Sequence, residues 1–374
     1  MGFVGNYLLN LDGLCLGREP ARPLSFSDCG TGGTEMDWRR ELHYQHRCLR
    51  LGWGFLTGRF IHCNLQITYR CNFKCQICDF WKEPHDPAEE LTVDQIRLIG
   101  QKLNRLGTLI ISLAGGEPLI RRDVYDIITT LNATGHFPIL ITNGWYVDET
   151  VARDILRAGL QEISVSVDYR DPARHDAQRG CPGSWERAIR ALELFHKHRP
   201  DRRNRVHMIS VLMDDNLDDV EPLIQLSREL GVTYMVNLYS WNRGTKARRL
   251  PERSVTEHLL DLKRKYPEFV TLTTYVEHLD QAISSGGVGH CRTGRLLMNI
   301  DHRGQVARCT ERRDEPVGNI LTEDIGTIRD RLWQRCDTQE CAQCWTSCRG
   351  FAESMSKPPR WRQYREFLHS VKPH

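Results

Sequence analysis

Apolar positions along the chain follow two alternating periods. Short apolar runs of strand length recur between stretches whose apolar residues fall three and four apart, the pattern of buried strands separated by amphipathic helices. The spacing predicts strands over 64–68, 108–113, 138–142, 162–168, 206–213 and 234–238. Helices are predicted over 92–107, 124–133, 149–158, 184–196 and 220–230. The second element has both ends marked, because Thr92 and Gln95 form a capping box and Gly107 follows the last apolar turn. Largely apolar strands alternating with helices imply an α/β fold built on a parallel sheet with helices on its outer face. Residues 251–289 are helical and then Gly-rich, a connection to a second unit. Residues 296–300 and 305–308 flank Asp301-His302-Arg303-Gly304 as a hairpin, and a helix is predicted over 325–334.

The ends of the chain carry weaker patterns. Residues 1–35 are rich in Gly, Ser, Pro and Asp and read as loop or tail. Between Met36 and Phe60 large apolar residues mix with arginines. Two readings follow: a helix docked over the open end of the sheet, or peripheral contact with a membrane. No apolar run reaches the roughly 18 residues of a bilayer span, and no secretory signal pattern opens the chain, so a cytoplasmic protein is expected. A net charge of +3 spread over 374 residues does not identify a nucleic-acid binder.

Fourteen cysteines change the picture, since most fall in tight groups. In a reducing compartment such groups indicate metal binding. Cys15, Cys29, Cys48, Cys63 and Cys181 stand apart and read as buried apolar residues or surface thiols. Cys71, Cys75 and Cys78 lie within eight residues, directly after the first predicted strand. Three thiolates hold a [4Fe-4S] cube by three corners and leave one iron open, whereas an ordinary cluster takes four cysteines. The other distinctive residues also fall at strand ends, where chemistry sits in such folds: Gly115-Gly116-Glu117-Pro118, Thr142-Asn143-Gly144, and Ser166 with Asp168. Downstream, Cys291 and Cys309 flank the predicted hairpin, and Cys336, Cys341, Cys344 and Cys348 follow the helix. They suffice for a second cluster, with a structural zinc site as the alternative.

Cys71-x3-Cys75-x2-Cys78, followed after the next strand by Gly-Gly-Glu-Pro, resembles the radical S-adenosylmethionine (SAM) superfamily. The stretch from Cys291 through Gly304-x4-Cys309 is similar to the twitch/SPASM extension of that superfamily. The resemblance covers about residues 61–350. It implies a partial (β/α)6 TIM-like barrel over 61–250, after an N-terminal segment 1–60. A connecting segment 251–289, a small twitch/SPASM-like Fe-S domain 290–350 and a C-terminal helix or tail 351–374 complete the chain. It also implies a SAM-binding [4Fe-4S] cluster on Cys71, Cys75 and Cys78, with Gly115, Gly116, Glu117, Pro118, Thr142, Ser166 and Asp168 around SAM. Asp168 is the expected ribose contact. A second, auxiliary [4Fe-4S] cluster is expected on Cys291, Cys309, Cys341 and Cys344, with Cys348 and then Cys336 as alternates.

The implied activity is reductive cleavage of SAM to a 5′-deoxyadenosyl radical and removal of a substrate hydrogen atom, in an oxidation or dehydrogenation. The substrate is a small molecule, a peptide or a lipid, and a flavodoxin or ferredoxin supplies the electron. A peptide-modifying maturase and a lipid-modifying enzyme are the alternatives within the superfamily. A non-catalytic zinc or Fe-S module is the alternative of another class. Glu311 and Asp314, just after Cys309, are the candidate general bases. Trp81, Tyr146, Tyr169, Tyr239 and Trp241 follow strand ends and are candidate pocket walls.

Overall fold

A computed structural model describes residues 38–108, 110–201, 203–240, 249–338, 341, 344–356 and 365–366. The expected N-terminal tail, Cys15, Cys29, Trp241, the side chain of Cys48 and most of 357–374 lie outside them. The chain divides into two compact units after Leu42, and the sheet and candidate site lie wholly in the second.

That unit follows the predicted alternation. Helix α1 (Trp38–Thr57) precedes β1 (His62–Thr68), α2 (Val93–Leu106), β2 (Ile110–Gly115), α3 (Val124–Ala133) and β3 (Phe137–Thr142). Then come α4 (Glu149–Arg157), β4 (Glu162–Ser166), α5 (Pro172–Arg179), α6 (Ser184–His198), β5 (Arg205–Leu212), α7 (Val220–Glu229) and β6 (Thr233–Leu238). Three helices follow, α8 (Thr256–Lys265), α9 (Thr273–Val276) and α10 (Leu279–Ser285). The chain continues through β7 (Leu297–Ile300), β8 (Gln305–Ala307), β9 (Gly318–Asn319), α11 (Ile325–Thr338) and α12 (Ser347–Ser356).

The strands form one open sheet in the order β6-β5-β4-β3-β2-β1-β7-β8-β9. Strands β1–β6 pair in parallel with their sequence neighbours. The capping box forms as read: Thr92 Oγ1 accepts from Gln95 N at 3.2 Å and Gln95 Oε1 accepts from Thr92 N at 2.9 Å. Gly107 ends α2 at φ 87°. In β1 every side chain is buried, but the two faces differ. Cys63, Leu65 and Ile67 join the core shared with Ile96, Ile99 and Leu103 of α2, while Asn64 and Gln66 line a cavity on the inner face. Period-2 alternation within the strand separates the two faces.

Two features differ from the expectation, and one of two open readings is decided. The hairpin expected to open a separate unit continues the same sheet, because β7 pairs in parallel with β1 from His62↔Leu297 to Leu65↔Ile300, and β8 returns antiparallel. Helix α5 was not anticipated. The part of α1 within this unit, residues 43–57, docks at the N-terminal rim of the strands, with Leu51 packed against Ile61, Ile110 and Phe137. Arg47 there donates to Asn132 Oδ1 at 2.9 Å and to the His136 carbonyl at 3.0 Å. Residues 43–60 thus take the docked reading, although Leu49 and Trp53 stay exposed on the outer side. No helix among the described residues is long and apolar enough to cross a membrane.

Candidate functional site

The end of β1 delivers the chain into the cysteine loop, and the glycine turn after β2 fastens that loop. Gly116 N donates to the Thr68 carbonyl and Glu117 N to the Arg70 carbonyl, both at 2.8 Å. A Cβ on Gly115 would stand 2.1 Å from the Thr68 carbonyl oxygen, and one on Gly116 2.0 Å from that of Arg70. The close approach that requires these glycines is therefore between two backbone segments of the protein. Gly115 and Gly116 also line the cavity.

Glu117 is buried within this turn. Its Oε1 accepts from Leu119 N at 3.0 Å and Thr142 Oγ1 at 2.8 Å, and its Oε2 accepts from Asn143 N at 2.8 Å. Burial outweighs these bonds and pushes the carboxyl up to about 7. Pro118 opens a short 3-10 turn over Pro118–Ile120 and does not line the cavity; its place is to aim Glu117.

The cavity, of about 300 Å³, brings the two halves of the chain together. Cys71, Cys75 and Cys78 line it, as do Cys291, Cys309, Cys341, Cys344 and Cys348, together with Glu117, Thr142 and Ser166. Cys336 does not; it is buried and directs its thiol to the Cys291 carbonyl at 3.3 Å. Cys348 lies beside Asn64, 3.6 Å from its Nδ2. Burial pushes the thiols of Cys71 and Cys344 up to about 12 and that of Cys75 to about 11, and raises those of Cys291 and Cys309. Thiolates in such surroundings need a cation beside them. Among the described residues no three His, Cys, Asp or Glu side chains converge closely enough for one metal ion. The donor set on the cavity wall, all thiols, is one that an iron-sulfur cube takes.

Asp168 corrects the expectation. It is fully buried and absent from the cavity wall. Its Oδ1 accepts from Val211 N at 2.9 Å, and its Oδ2 accepts from Gln178 Nε2 at 3.1 Å and pairs with Arg179 Nη2 at 2.6 Å. Its charge is met by Arg179 inside the protein and it has no face on the cavity, which separates it from Glu117. Arg179, at the end of α5, lines the cavity in its place and bonds to Cys75. The same helix end holds the cysteine loop, since Gln76 N donates to the Gln178 carbonyl at 2.9 Å. The signals for α5 were local: Asp171 before Pro172, and Gly180 after the last turn.

The candidate bases separate. Glu311 lines the cavity and its Oε2 accepts from Ser240 Oγ at 2.5 Å, whereas Asp314 is exposed and outside it. Of the described aromatic candidates, Trp81 and Tyr239 line the cavity. Tyr169 is buried, donating to Asp215 at 2.8 Å, and Tyr146 faces solvent; neither is part of the wall.

Comparison with known proteins adds an independent finding. Residues 65–227 match the family model described as the Radical SAM superfamily. The chain is 32% identical over 172 residues to the AdoMet-dependent heme synthase of Methanosarcina barkeri, a match covering 46% of this chain and 48% of that protein. The match thus spans about half the length of that relative. Over 307 residues the chain is 27% identical to the mycofactocin maturase MftC of Mycolicibacterium smegmatis, covering 76% of each. Among solved structures, Streptococcus suis SuiB bound to precursor peptide SuiA superposes with a TM-score of 0.60 at 12% identity, over 90% of this chain and 82% of that one. Native anSMEcpe with bound AdoMet superposes with a TM-score of 0.55 at 15% identity, over 82% of this chain and 96% of that one. These two share the fold.

Proposed function

Because the chain belongs to the radical SAM superfamily through residues 65–227, we propose that it oxidises a C-H bond of a substrate bound between two iron-sulfur groups. The observation that carries this reading is the single cavity lined by both sets of cysteines. Cys71, Cys75 and Cys78 would hold the SAM-binding cluster, and Cys291, Cys309, Cys341 and Cys344 a second one, with Cys348 as the alternate fourth ligand. When bound, the first group with SAM supplies a 5′-deoxyadenosyl radical that takes a hydrogen atom, and the second supplies an acceptor for the electron left behind.

The chain's own residues bind, orient and seal. Glu117, Thr142 and Ser166 would receive the polar end of SAM, and Trp81 and Tyr239 would exclude water from the reacting carbon. Glu311, which lines the cavity and accepts from Ser240, would take the proton released in the oxidation. The electron comes from a one-electron carrier of the flavodoxin or ferredoxin class. A peptide is the substrate class we favour, since SuiB, which shares the fold over 90% of this chain, is solved with precursor peptide SuiA, and a maturase is matched over 76% of its length.

Anaerobically reconstituted protein with SAM and dithionite is expected to form 5′-deoxyadenosine and to hold about seven to eight irons per chain. Cys75→Ala is expected to abolish the product while leaving about half the iron. Absence of 5′-deoxyadenosine from the iron-loaded protein would defeat the reading. Deuterium transfer from labelled candidate peptides into 5′-deoxyadenosine then identifies the substrate.

A further inference from the structure

Each thiol group has a buried arginine against it, and the charges of these two arginines are compensated differently. The second group also has Arg312, which lines the cavity and bonds to Cys341, and Glu311, whose charge acts on Cys309 and Cys344. Arg179, beside Cys75, pairs at 2.6 Å with the fully buried Asp168, so its field on the first thiol group is largely offset. Arg349 lines the cavity at the second group and is 1% exposed. Its Nη1 donates to the Cys344 carbonyl at 2.6 Å, and its Nη2 donates to the carbonyls of Gly289, at 2.7 Å, and of Val288. Its Nε is buried with no hydrogen-bond partner and lies 4.0 Å from Glu353. That carboxylate is itself engaged by Arg292 N at 2.8 Å.

Carbonyl oxygens solvate a guanidinium but do not neutralise it. An incompletely paired charge in a protein interior is costly unless an opposite charge lies nearby. A cube held by four thiolates carries net negative charge, and reduction makes it more negative. A fixed cation alongside therefore favours the reduced form, and net charge and hydrogen bonding are among the determinants of cluster potential.

We infer that Arg349 is a buried counter-charge of the second iron-sulfur group and raises its reduction potential. The inference rests on the proposed ligation by Cys291, Cys309, Cys341 and Cys344. Arg349 touches neither substrate nor SAM in this scheme; it is a positioning residue that acts through the group it faces. Glu353 opposes it, so the pair predicts shifts of opposite sign.

The test is an anaerobic potentiometric titration, followed by electron paramagnetic resonance, of the full-length protein with Cys71, Cys75 and Cys78 replaced by Ala. Only the second group then gives a signal. In this background Arg349→Gln is expected to move the midpoint to more negative potential and Glu353→Gln to more positive potential, with Arg349→Lys between the parent and Arg349→Gln. Equal midpoints for the parent and Arg349→Gln, or shifts of the same sign for Arg349→Gln and Glu353→Gln, would overturn the inference. If Arg349→Gln folds by circular dichroism but takes up no iron, retention by Arg349→Lys supports the charge role. Loss in both assigns Arg349 to clamping the Cys344 loop and refutes the charge role. A parent with no second signal removes the two-cluster reading and this inference together, while 5′-deoxyadenosine formation by the unaltered protein still reports on the first site.

Discussion

Glu117 shows how one buried side chain joins the fold to the chemistry. The chain gives it three hydrogen-bond donors and no cation, and burial raises its carboxyl to about 7. Below that pH the proton stays on, and above it the carboxylate would offer the proposed SAM site an anion for the ammonium group. SAM affinity of the iron-loaded protein is therefore expected to rise roughly tenfold between about pH 6 and pH 8, with the rise absent in Glu117→Gln. Equilibrium dialysis across that range checks it, and the same slope in both proteins would remove Glu117 from the site. Asp168, another strand-end carboxylate, has the opposite fate: it lies off the cavity wall and its charge is paired with Arg179, with Gln178 and the backbone of Val211 as further donors. Identity and spacing alone do not separate these two acids. Their partners do, and those partners come from distant stretches of chain.

Among the elements, the glycine turn after β2 and the end of α5 grip the cysteine loop from two sides. The turn contributes two backbone hydrogen bonds to Thr68 and Arg70, and α5 places Gly180 so that a Cβ there would meet the Lys74 carbonyl at 2.8 Å. Gly116→Ala sets a methyl group 2.0 Å from a backbone oxygen, so the turn and the loop must separate. We expect the variant to lose about 3 kcal/mol of stability by overpacking and most of the iron of the first site. Urea unfolding and an iron and sulfide assay measure the two effects, and a variant with full iron content would contradict the fastening role. The capping box of α2 and the ends of most strands were legible because their signals lie within a few residues of one another. Helix α5 carried the same kind of signal in Asp171-Pro172 and Gly180.

Over the whole molecule, burial of neutral histidines sets the acid limit of the fold. Burial lowers His62, His136, His175 and His302 to about 4, against an ordinary value near 6.5. The folded state thus binds protons less readily than the unfolded chain. The stability this represents is complete above about pH 6.5 and is lost as pH falls toward 4. Near-UV circular dichroism is expected to report cooperative unfolding in that window, and a transition confined below pH 4 would refute it. By itself the sequence determined the β/α alternation, the thiol-rich loop after the first strand and the likeness to a superfamily, because capping, periodicity and motif spacing are local. Only the tertiary structure decided that β7 returns to pair with β1, placing eight cysteines around one cavity while Cys336 turns away. It also decided that Asp168 pairs closely with Arg179 while Arg349 has its carboxylate, Glu353, only at 4.0 Å. Pairing partners and charge balance depend on segments hundreds of residues apart, and burial makes their consequences large.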